Sequence, residues 1–248
     1  MTNLKTIIFE FAQPCKQLDG LVSHFWQSRW RLGVQNYFCY YSTANTNAEL
    51  VFAFSPKNAH RSNSVFATFQ GFTQTPSQIH TGGFSEMFGV SIYAHAIPLL
   101  FGVRVAQVAN QLIDVKDLLD RDAEVVTKQL AEGDHFAERV NILTHHLSLR
   151  LNKTAIEDLV MLKAIKRIRE MQGQVDIRSL ASECSLSQKQ FERRFKNFCS
   201  FNPKLYSRIV RFESTLFPDR QFDSYTDMAL ELGYYDQAHF NNEFKQFS

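Results

Sequence analysis

An internal repeat near the end of the chain constrains its fold more than any other feature. The first copy begins with apolar residues spaced i, i+3, i+4 and i+7, one face of a helix, at Ile177, Leu180, Ala181 and Cys184. The same face recurs 48 residues later, at Tyr225, Met228, Ala229 and Leu232. A second helix follows each face, marked by the pairs Phe191/Phe195 and Phe240/Phe244. Two short helices joined by a tight turn, present twice, predict two tandem helix-turn-helix units.

Capping residues stand where these helices are expected to begin. Side chains that cap helix N-termini precede the four helices, at Asp176, Ser187, Ser224 and Asp236. Gly233 suits the left-handed position that ends the third helix. Between the copies, Asn202 and Pro203 form a typical helix start, so we expect a linking helix from Pro203 to about Phe212.

Basic charge is concentrated around the first copy. Residues 161–211 contain 12 Lys and Arg against 4 Asp and Glu, whereas residues 212–248 contain 2 against 7. One interpretation of the basic window is a solvated helix face. The other is a surface for a polyanion, because Lys and Arg that neutralise phosphates drive nucleic-acid binding. The repeat, the caps and the basic window together favour DNA binding.

The first half of the chain is instead predicted to be rich in β-strands. Short aromatic and β-branched runs, separated by Asn, Ser, Pro and Gly, occur at 37–41, 50–54, 65–69 and 87–93. Such strands are typical of a sandwich or barrel. The pattern becomes helical from about Val115, with a further helix from His135 to Leu151. We therefore expect a boundary near Asn152 and two domains, 1–152 and 153–248.

Several classes of protein are disfavoured. The apolar stretch 90–103 is too short and polar to span a bilayer, and the N-terminal residues lack the pattern of a signal peptide. The cysteines form no CxxC pair and are interpreted as small buried or half-buried apolar residues: Cys15, Cys39, Cys184 and Cys199. The histidines do not form a metal motif; His60 and His80 stand alone and His145–His146 falls in a predicted helix. We expect a soluble cytoplasmic protein that is not an enzyme and holds no metal or other cofactor.

The two copies resemble the two signatures of the AraC/XylS-type DNA-binding domain over residues 156–247. The first signature is matched at Leu180, Ala181, Ser187, Phe191, Arg193, Phe195, Lys196, Asn202, Pro203, Lys204, Tyr206, Arg211 and Phe212. The second is matched at Asp227, Met228, Ala229, Gly233, Tyr234, Asp236, Gln237, His239, Phe240, Phe244 and Lys245. Two departures are Ser200, where the family usually has Gly, and the turn and last helix that the family has beyond the position of Ser248.

The first half is similar, more loosely, to the sensor domain of a subgroup of these regulators. The matching segments are 25–27, 88–92, 97–103 and the helical run from Asp114. The resemblance implies a cupin-like β-barrel that binds an effector, mediates dimerisation, or both. The expected fold class is therefore α+β: a β-rich cupin-like barrel with following helices, then an all-α domain of two tandem helix-turn-helix units.

Candidate DNA contacts lie on the second helix of each copy. With Phe191 and Phe195 facing inward, the first helix is expected to present Ser187, Gln188, Lys189, Glu192, Arg193, Arg194 and Lys196. The resemblance places Lys189, Glu192 and Arg193 against base edges. Arg193 can form a bidentate contact to guanine, while Arg194 and Lys196 are expected to contact phosphates. In the second helix the candidates are Gln237, Ala238, His239, Asn241, Asn242 and Lys245. The resemblance makes Ala238 and Asn242 base-facing, and Asn can read adenine. Because this helix lacks Arg, we expect the first copy to supply most of the affinity.

Two sets of residues in the first half have alternative interpretations. An effector pocket or plain core packing would account for the aromatic residues Trp26, Trp30, Tyr37 and Tyr40. A dimer contact or core packing would account for the helical stripe Val140, Leu143, Leu147 and Leu151. The sequence as a whole predicts a DNA-binding transcription regulator, effector-responsive through its first half. Alternatives are a first half that only dimerises, or a cupin-like enzyme or carrier. Expected partners are double-stranded DNA, a small-molecule effector, a second copy of the chain and RNA polymerase, with no membrane.

Overall fold

The computed structural model describes residues 7–30, 37–55, 65–82, 84–151, 158–216 and 221–248, and for 37–41 and 77–82 it describes the backbone alone. Contacts divide the chain into two compact units. The first comprises Met1–Tyr41, Asn47–Phe72 and Gln78–Ala155, and the second comprises Ser42–Thr46, Thr73–Ser77 and Ile156–Ser248. The expected boundary at Asn152 lies outside the described residues, so the division into 1–152 and 153–248 stays a prediction.

The first unit contains a six-stranded antiparallel sheet and a two-stranded one. The strands are β1 (Ile7–Ala12), β2 (Val22–Trp30), β3 (Tyr37–Ser42), β4 (Asn47–Phe54), β5 (Val65–Gln70), β6 (Ser77–Gly82), β7 (Glu86–Tyr93) and β8 (Leu112–Asp114). The larger sheet has the order β1-β2-β7-β4-β5-β8, and β3 pairs with β6. The four predicted strands are confirmed as β3, β4, β5 and β7. The cupin-like barrel stays a prediction.

Helices follow the strands of the first unit. They are α1 (Ile97–Phe101), α2 (Val105–Val108), α3 (Val115–Leu119), α4 (Asp122–Glu132) and α5 (Phe136–Arg150). Helix α5 confirms the helix predicted for 135–151. Leu143 and Leu147 of its apolar stripe are each 1% exposed and belong to the core of this chain. Core packing is therefore their role, and they do not form the expected dimer seam.

A buried arginine fixes α5 to the larger sheet. Arg139 is 2% exposed, and its Nη1 lies 2.8 Å from Oε1 of Gln27 in β2 and 2.7 Å from Oε1 of Glu86 in β7. Its Nε donates to the carbonyl of Leu130 at 3.0 Å. Because every side of the guanidinium has an acceptor, the charge is compensated where an unpaired charge would be very costly.

The second unit contains six helices among its described residues. They are α6 (Leu159–Glu170), α7 (Ile177–Glu183), α8 (Gln188–Cys199), α9 (Pro203–Leu216), α10 (Tyr225–Glu231) and α11 (Gln237–Phe247). The helices predicted from the repeat are confirmed: α7 and α8 form a first pair, and α10 and α11 form a second pair. The linking helix α9 is one turn longer than the predicted Pro203–Phe212.

Aromatic rings form the core of this unit. The predicted inward residues Phe191 and Phe195 are fully buried, and the ring of Phe195 meets that of Tyr206 from α9 at 5.4 Å. In the second pair Phe240 packs with Tyr234, Met228, Ala229 and Leu232. In each pair, the apolar residues identified from the repeat are therefore the ones that pack the second helix against its neighbours.

A short segment from the first half of the chain completes the second unit. The N–H of Ala44 donates to the carbonyl of Phe247 at 2.8 Å, at the end of α11. Thr46 donates to the carboxylate of Glu213 in α9 through both its N–H and its Oγ1, and accepts from Nη1 of Arg169 in α6. Residues 153–248 alone therefore lack part of the hydrogen bonding of this unit.

Candidate nucleic-acid interface

The caps of the first pair hold its helices in a fixed register. Asp176 Oδ1 accepts from the N–H of Ser179 at 2.7 Å and so begins α7. Ser187 and Gln190 form a reciprocal capping box at the start of α8, in which each side chain bonds to the backbone N–H of the other. Ser200, in the position where the family has Gly, adopts the left-handed conformation with φ 60°. Ser200 therefore adopts the left-handed conformation that Gly takes more easily, at a small cost in backbone strain.

The outer face of α8 is cationic and exposed, as predicted. Lys189, Arg193 and Lys196 are exposed, and their side chains make no hydrogen bond or ion pair with another residue that the structure describes. Gln188 donates to Glu192 at 2.9 Å, and Glu192 is half-buried. The three cations are therefore available to an anionic partner, whereas the side chains of Gln188 and Glu192 are hydrogen-bonded to each other.

Arg194 has a different role from its neighbours. Its Nε and Nη2 donate to the two carboxylate oxygens of Asp158 at 2.6 and 2.8 Å. Asp158 also caps α6 by accepting from the N–H of Met161. Burial alone would raise the pKa of Asp158, but the hydrogen bonds from Arg194 and from Met161 hold that pKa below its ordinary value. Arg194 therefore ties α8 to α6, and the phosphate contact expected of it stays a prediction.

The second pair exposes amide side chains. Ser224 caps α10 and Asp236 caps α11, both as predicted, and Gly233 has φ +77° between them. The exposed residues of α11 are Gln237, Ala238, Asn241, Asn242, Lys245 and Gln246. Gln237 accepts a hydrogen bond from Thr226 in α10 at 3.3 Å. The outer face of α11 thus offers hydrogen bonds more than charge.

The side chain of His239 is less exposed than predicted. Its side chain is half-buried, and its Nδ1 accepts the backbone N–H of Tyr235 at 3.3 Å. Its ring also meets the ring of Tyr234 edge-on at 5.4 Å. Because these contacts lie in the turn before α11, His239 orders that turn, and the expectation of a freely exposed histidine is corrected.

A bridge between Arg208 and Glu243 fixes α11. Glu243 is 5% exposed, and its Oε1 accepts from Nε of Arg208 in α9. Arg208 also donates to Gln246 at 2.8 Å. Glu243 lies 49 residues after Arg194, the same offset that separates Phe195 from Phe244, so the second helix of each pair forms an ion pair from the same repeat position. The partners differ in place, because Asp158 caps the start of α6 whereas Arg208 lies within α9. The bridge was not predicted from the sequence; the charged residue that Glu243 and Arg194 place at one repeat position is the signal that could have indicated it.

A groove of about 870 Å³ is lined by residues of both pairs and of the linking helix. Its lining includes Gln188 at the start of α8, Asn242 of α11, and the side chains of Arg178, Lys204, Arg208 and Arg211. No role was predicted for Arg178, and Lys204 was named only in the resemblance to the first signature. The groove therefore adds charged residues to the candidate interface that neither α8 nor α11 carries.

The two tryptophans proposed to line an effector pocket differ in burial. Trp30 is 4% exposed and packs against Val51, Ala53 and Met87, so it is a core residue. Trp26 is half-buried; its Nε1 donates to Glu49 at 2.9 Å, and its ring lies so close to Gly89 that a Cβ there would clash. For Tyr37 and Tyr40 the side chains lie outside the described residues, as does His60, while His80 has its backbone alone described.

The part of the chain that the structure describes contains few groups suited to metal binding, membrane insertion or thiol chemistry. That part contains no group of three His, Cys, Asp or Glu side chains able to hold a metal ion, and no helix long and apolar enough to cross a membrane. Burial raises the pKa of the Cys199 thiol to about 12, so this cysteine is an inert core residue. Cys184 is half-buried, but Cys15 is exposed, which corrects the expectation for that residue.

Comparisons with known proteins give a family-model match to part of the chain and a weak structural likeness. A family model described as a domain of unknown function (DUF6597) matches residues 10–114. No curated protein matches the chain. The crystal structure of ToxT from Vibrio cholerae O395 is 10% identical, covers 98% of this chain and 94% of its own, and has a TM-score of 0.45. Wild-type ToxT from strain SCE256 with bound unsaturated fatty acid is 10% identical, covers 99% and 93%, and has a TM-score of 0.41.

Proposed function

We propose that the chain is a sequence-specific transcription regulator that reads double-stranded DNA with α8 and α11, the recognition helices of two tandem helix-turn-helix units. The observation that carries the proposal is the exposed face of α8. The side chains of Lys189, Arg193 and Lys196 make no hydrogen bond or ion pair with another described residue, and the opposite face of the helix is fully buried. Cations that are held on a rigid helix and are not already paired can bind phosphates and guanine edges without breaking an existing contact.

The two recognition helices contribute unequally to this function. Arg193 on α8 can make a bidentate contact to guanine, whereas Asn242 on α11 offers one amide to adenine. On α11 the buried carboxylate of Glu243 is already paired with Arg208. Helix α8 therefore supplies most of the affinity, and α11 refines the choice of site in a neighbouring major-groove segment about 34 Å away.

The first unit is proposed as the sensor and dimerisation domain, with a cupin-like barrel and a small-molecule effector. The half-buried Trp26, with its hydrogen bond to Glu49, is the candidate effector contact that the described residues favour. A homodimer in the cytoplasm would bind two half-sites and act on RNA polymerase. The alternative is a first unit that dimerises without an effector; bound ligand detected by mass spectrometry of the native protein would separate the two.

Binding of the full chain at low and moderate salt, first to random DNA and then to a site selected from it, tests the proposal. The full chain is needed because Ala44 and Thr46 form part of the second unit. We expect salt-dependent binding that Arg193→Ala weakens more than Asn242→Ala. A greater loss from Asn242→Ala would contradict the unequal roles, and no binding at low salt would contradict DNA binding itself.

A further inference from the structure

We infer that the groove between the two helix pairs binds the phosphates of the DNA backbone between the two base-read segments, through Arg178 and Lys204. This inference rests on the proposed function and adds to it a second, sequence-independent contact surface. The groove is lined by Gln188, the first residue of α8, and by Asn242 on the outer face of α11. The groove therefore begins at one candidate reading surface and ends at the other.

The geometry of a duplex explains what must meet this groove. Two recognition helices in successive major-groove segments are about one helical turn apart, and the sugar-phosphate backbone crosses between them. A protein surface that connects two such helices faces phosphates and not base edges. Residues of α9, of the turn before α7 and of the first turn of α7 form that surface here, since the groove is lined by Lys204 and Ser207, by Val175 and by Arg178.

The charges in the groove favour an anion. Four cationic side chains line it, Arg178, Lys204, Arg208 and Arg211, against two acidic ones, Asp176 and Glu243. Both carboxylates have other roles: Asp176 caps α7 through Ser179, and Glu243 accepts from Arg208. Glu243 is thus paired within the protein, whereas Asp176 stays charged and interacts electrostatically with Arg178, and the four cations outnumber the two acids.

Two of the four cations are held by the protein itself. Arg208 donates to Glu243 and Gln246, and Arg211 donates to the carbonyls of Gly233 and Gly173 while lying over the ring of Tyr234. Arg178 and Lys204 are exposed, and their side chains make no hydrogen bond or ion pair with any other described residue. These two can therefore bind phosphate without breaking the contacts that hold α9, α10 and α11 together.

Replacement of these residues should weaken binding to all sequences alike. A phosphate contact releases about one counterion, so its loss reduces the slope of log affinity against log salt by about 0.9 and leaves base preference unchanged. We expect Arg178→Gln and Lys204→Gln each to lower affinity by roughly five- to tenfold near 100 mM salt. Lys128→Gln is the matched control, because Lys128 is an exposed lysine of α4 in the first unit.

Titration of the full-length variants on one selected site over a range of salt tests the inference. Ethylation of single phosphates should block the wild-type chain at positions between the two base-read segments, and this interference should vanish in the double variant Arg178→Gln/Lys204→Gln. Equal slopes for the double variant and Lys128→Gln, with Arg193→Ala still defective, would overturn the inference and leave the proposed function intact. If the wild-type chain binds no DNA at low salt, both fail. Unchanged melting temperatures would show that the variants are folded.

Discussion

Arg208 in α9 donates a hydrogen bond to the buried carboxylate of Glu243 in α11. In the first pair, Arg194 of α8 donates to the carboxylate of Asp158, which caps α6. The second helix of each pair is therefore tied by an ion pair to the helix that precedes the pair. The residue that the second helix contributes is basic in α8 and acidic in α11, so the two ion pairs have opposite polarity.

Glu243→Gln should destabilise the second unit, because it removes the buried negative charge that pairs with the partly buried Arg208 and leaves this guanidinium only neutral acceptors. Removing one member of a buried pair costs about 3–5 kcal/mol, and the partial exposure of Arg208 places this pair at the lower end. Urea unfolding followed by far-ultraviolet circular dichroism measures the loss, with the exposed Glu124→Gln as control. Reversal of the bridge in Arg208→Glu/Glu243→Arg should recover part of the stability lost by Arg208→Glu. A double variant no more stable than Arg208→Glu would contradict this role for the bridge.

The Asp158–Arg194 bridge should make the second unit acid-sensitive. The folded-state pKa of Asp158 lies below its ordinary value of 3.8, so its contribution is present above pH 4 and is lost as the pH falls through the folded pKa. Asp158→Asn removes this contribution at neutral pH. Melting temperatures of the wild-type chain should therefore fall more steeply below pH 4 than those of Asp158→Asn. Parallel curves would show that the bridge does not stabilise the fold.

Arg139→Met should destabilise the first unit strongly. The replacement keeps much of the apolar stem but leaves Gln27, which is fully buried, and Glu86 without the guanidinium that both of them contact. We expect a loss of about 3–5 kcal/mol. Both tryptophans of the chain, Trp26 and Trp30, lie in the first unit, so their fluorescence reports its unfolding alone. The exposed Arg121→Met serves as control, and equal denaturation midpoints for the two variants would refute the role of Arg139.

Thr46→Val should destabilise the second unit although Thr46 precedes α6 by more than a hundred residues. The hydroxyl donates to Glu213 and accepts from Arg169, and valine keeps the shape while removing both bonds. The loss of these two hydrogen bonds to charged groups costs about 1–3 kcal/mol, although the N–H of residue 46 still donates to Glu213. The helical signal at 222 nm during urea unfolding should show the loss. Thr127→Val, a half-buried threonine in the helix α4, is the control; a midpoint no lower for Thr46→Val than for this control would contradict the role of the segment.

Local patterns in the sequence predicted the second unit well because its helices are specified by neighbouring residues. The caps Asp176, Ser187, Ser224 and Asp236 lie three residues or fewer from the N–H groups they bind, so they can be read from a short stretch of sequence. The buried faces Phe191/Phe195 and Phe240/Phe244 follow from helical spacing alone.

Long-range contacts account for what the sequence did not predict. Strand β2 was missed because it contains Gln27 and Arg29, whose partners Arg139 and Glu86 lie far away in the chain. Arg194 looked like a free cation because Asp158 is 36 residues distant. The half-buried state of His239 depends on the path of the turn at Tyr235. In each case a polar residue gained a tertiary partner that no local pattern could indicate.

Selection of bound sites from random DNA, carried out in parallel with the full wild-type chain and Arg193→Ala, tests the central claim most directly. We predict that the wild-type chain selects two conserved segments about ten base pairs apart, with the stronger one containing guanine. Arg193→Ala should relax one position in that stronger segment and leave the other segment unchanged. Failure of the wild-type chain to enrich any sequence would contradict the assignment as a sequence-specific DNA reader.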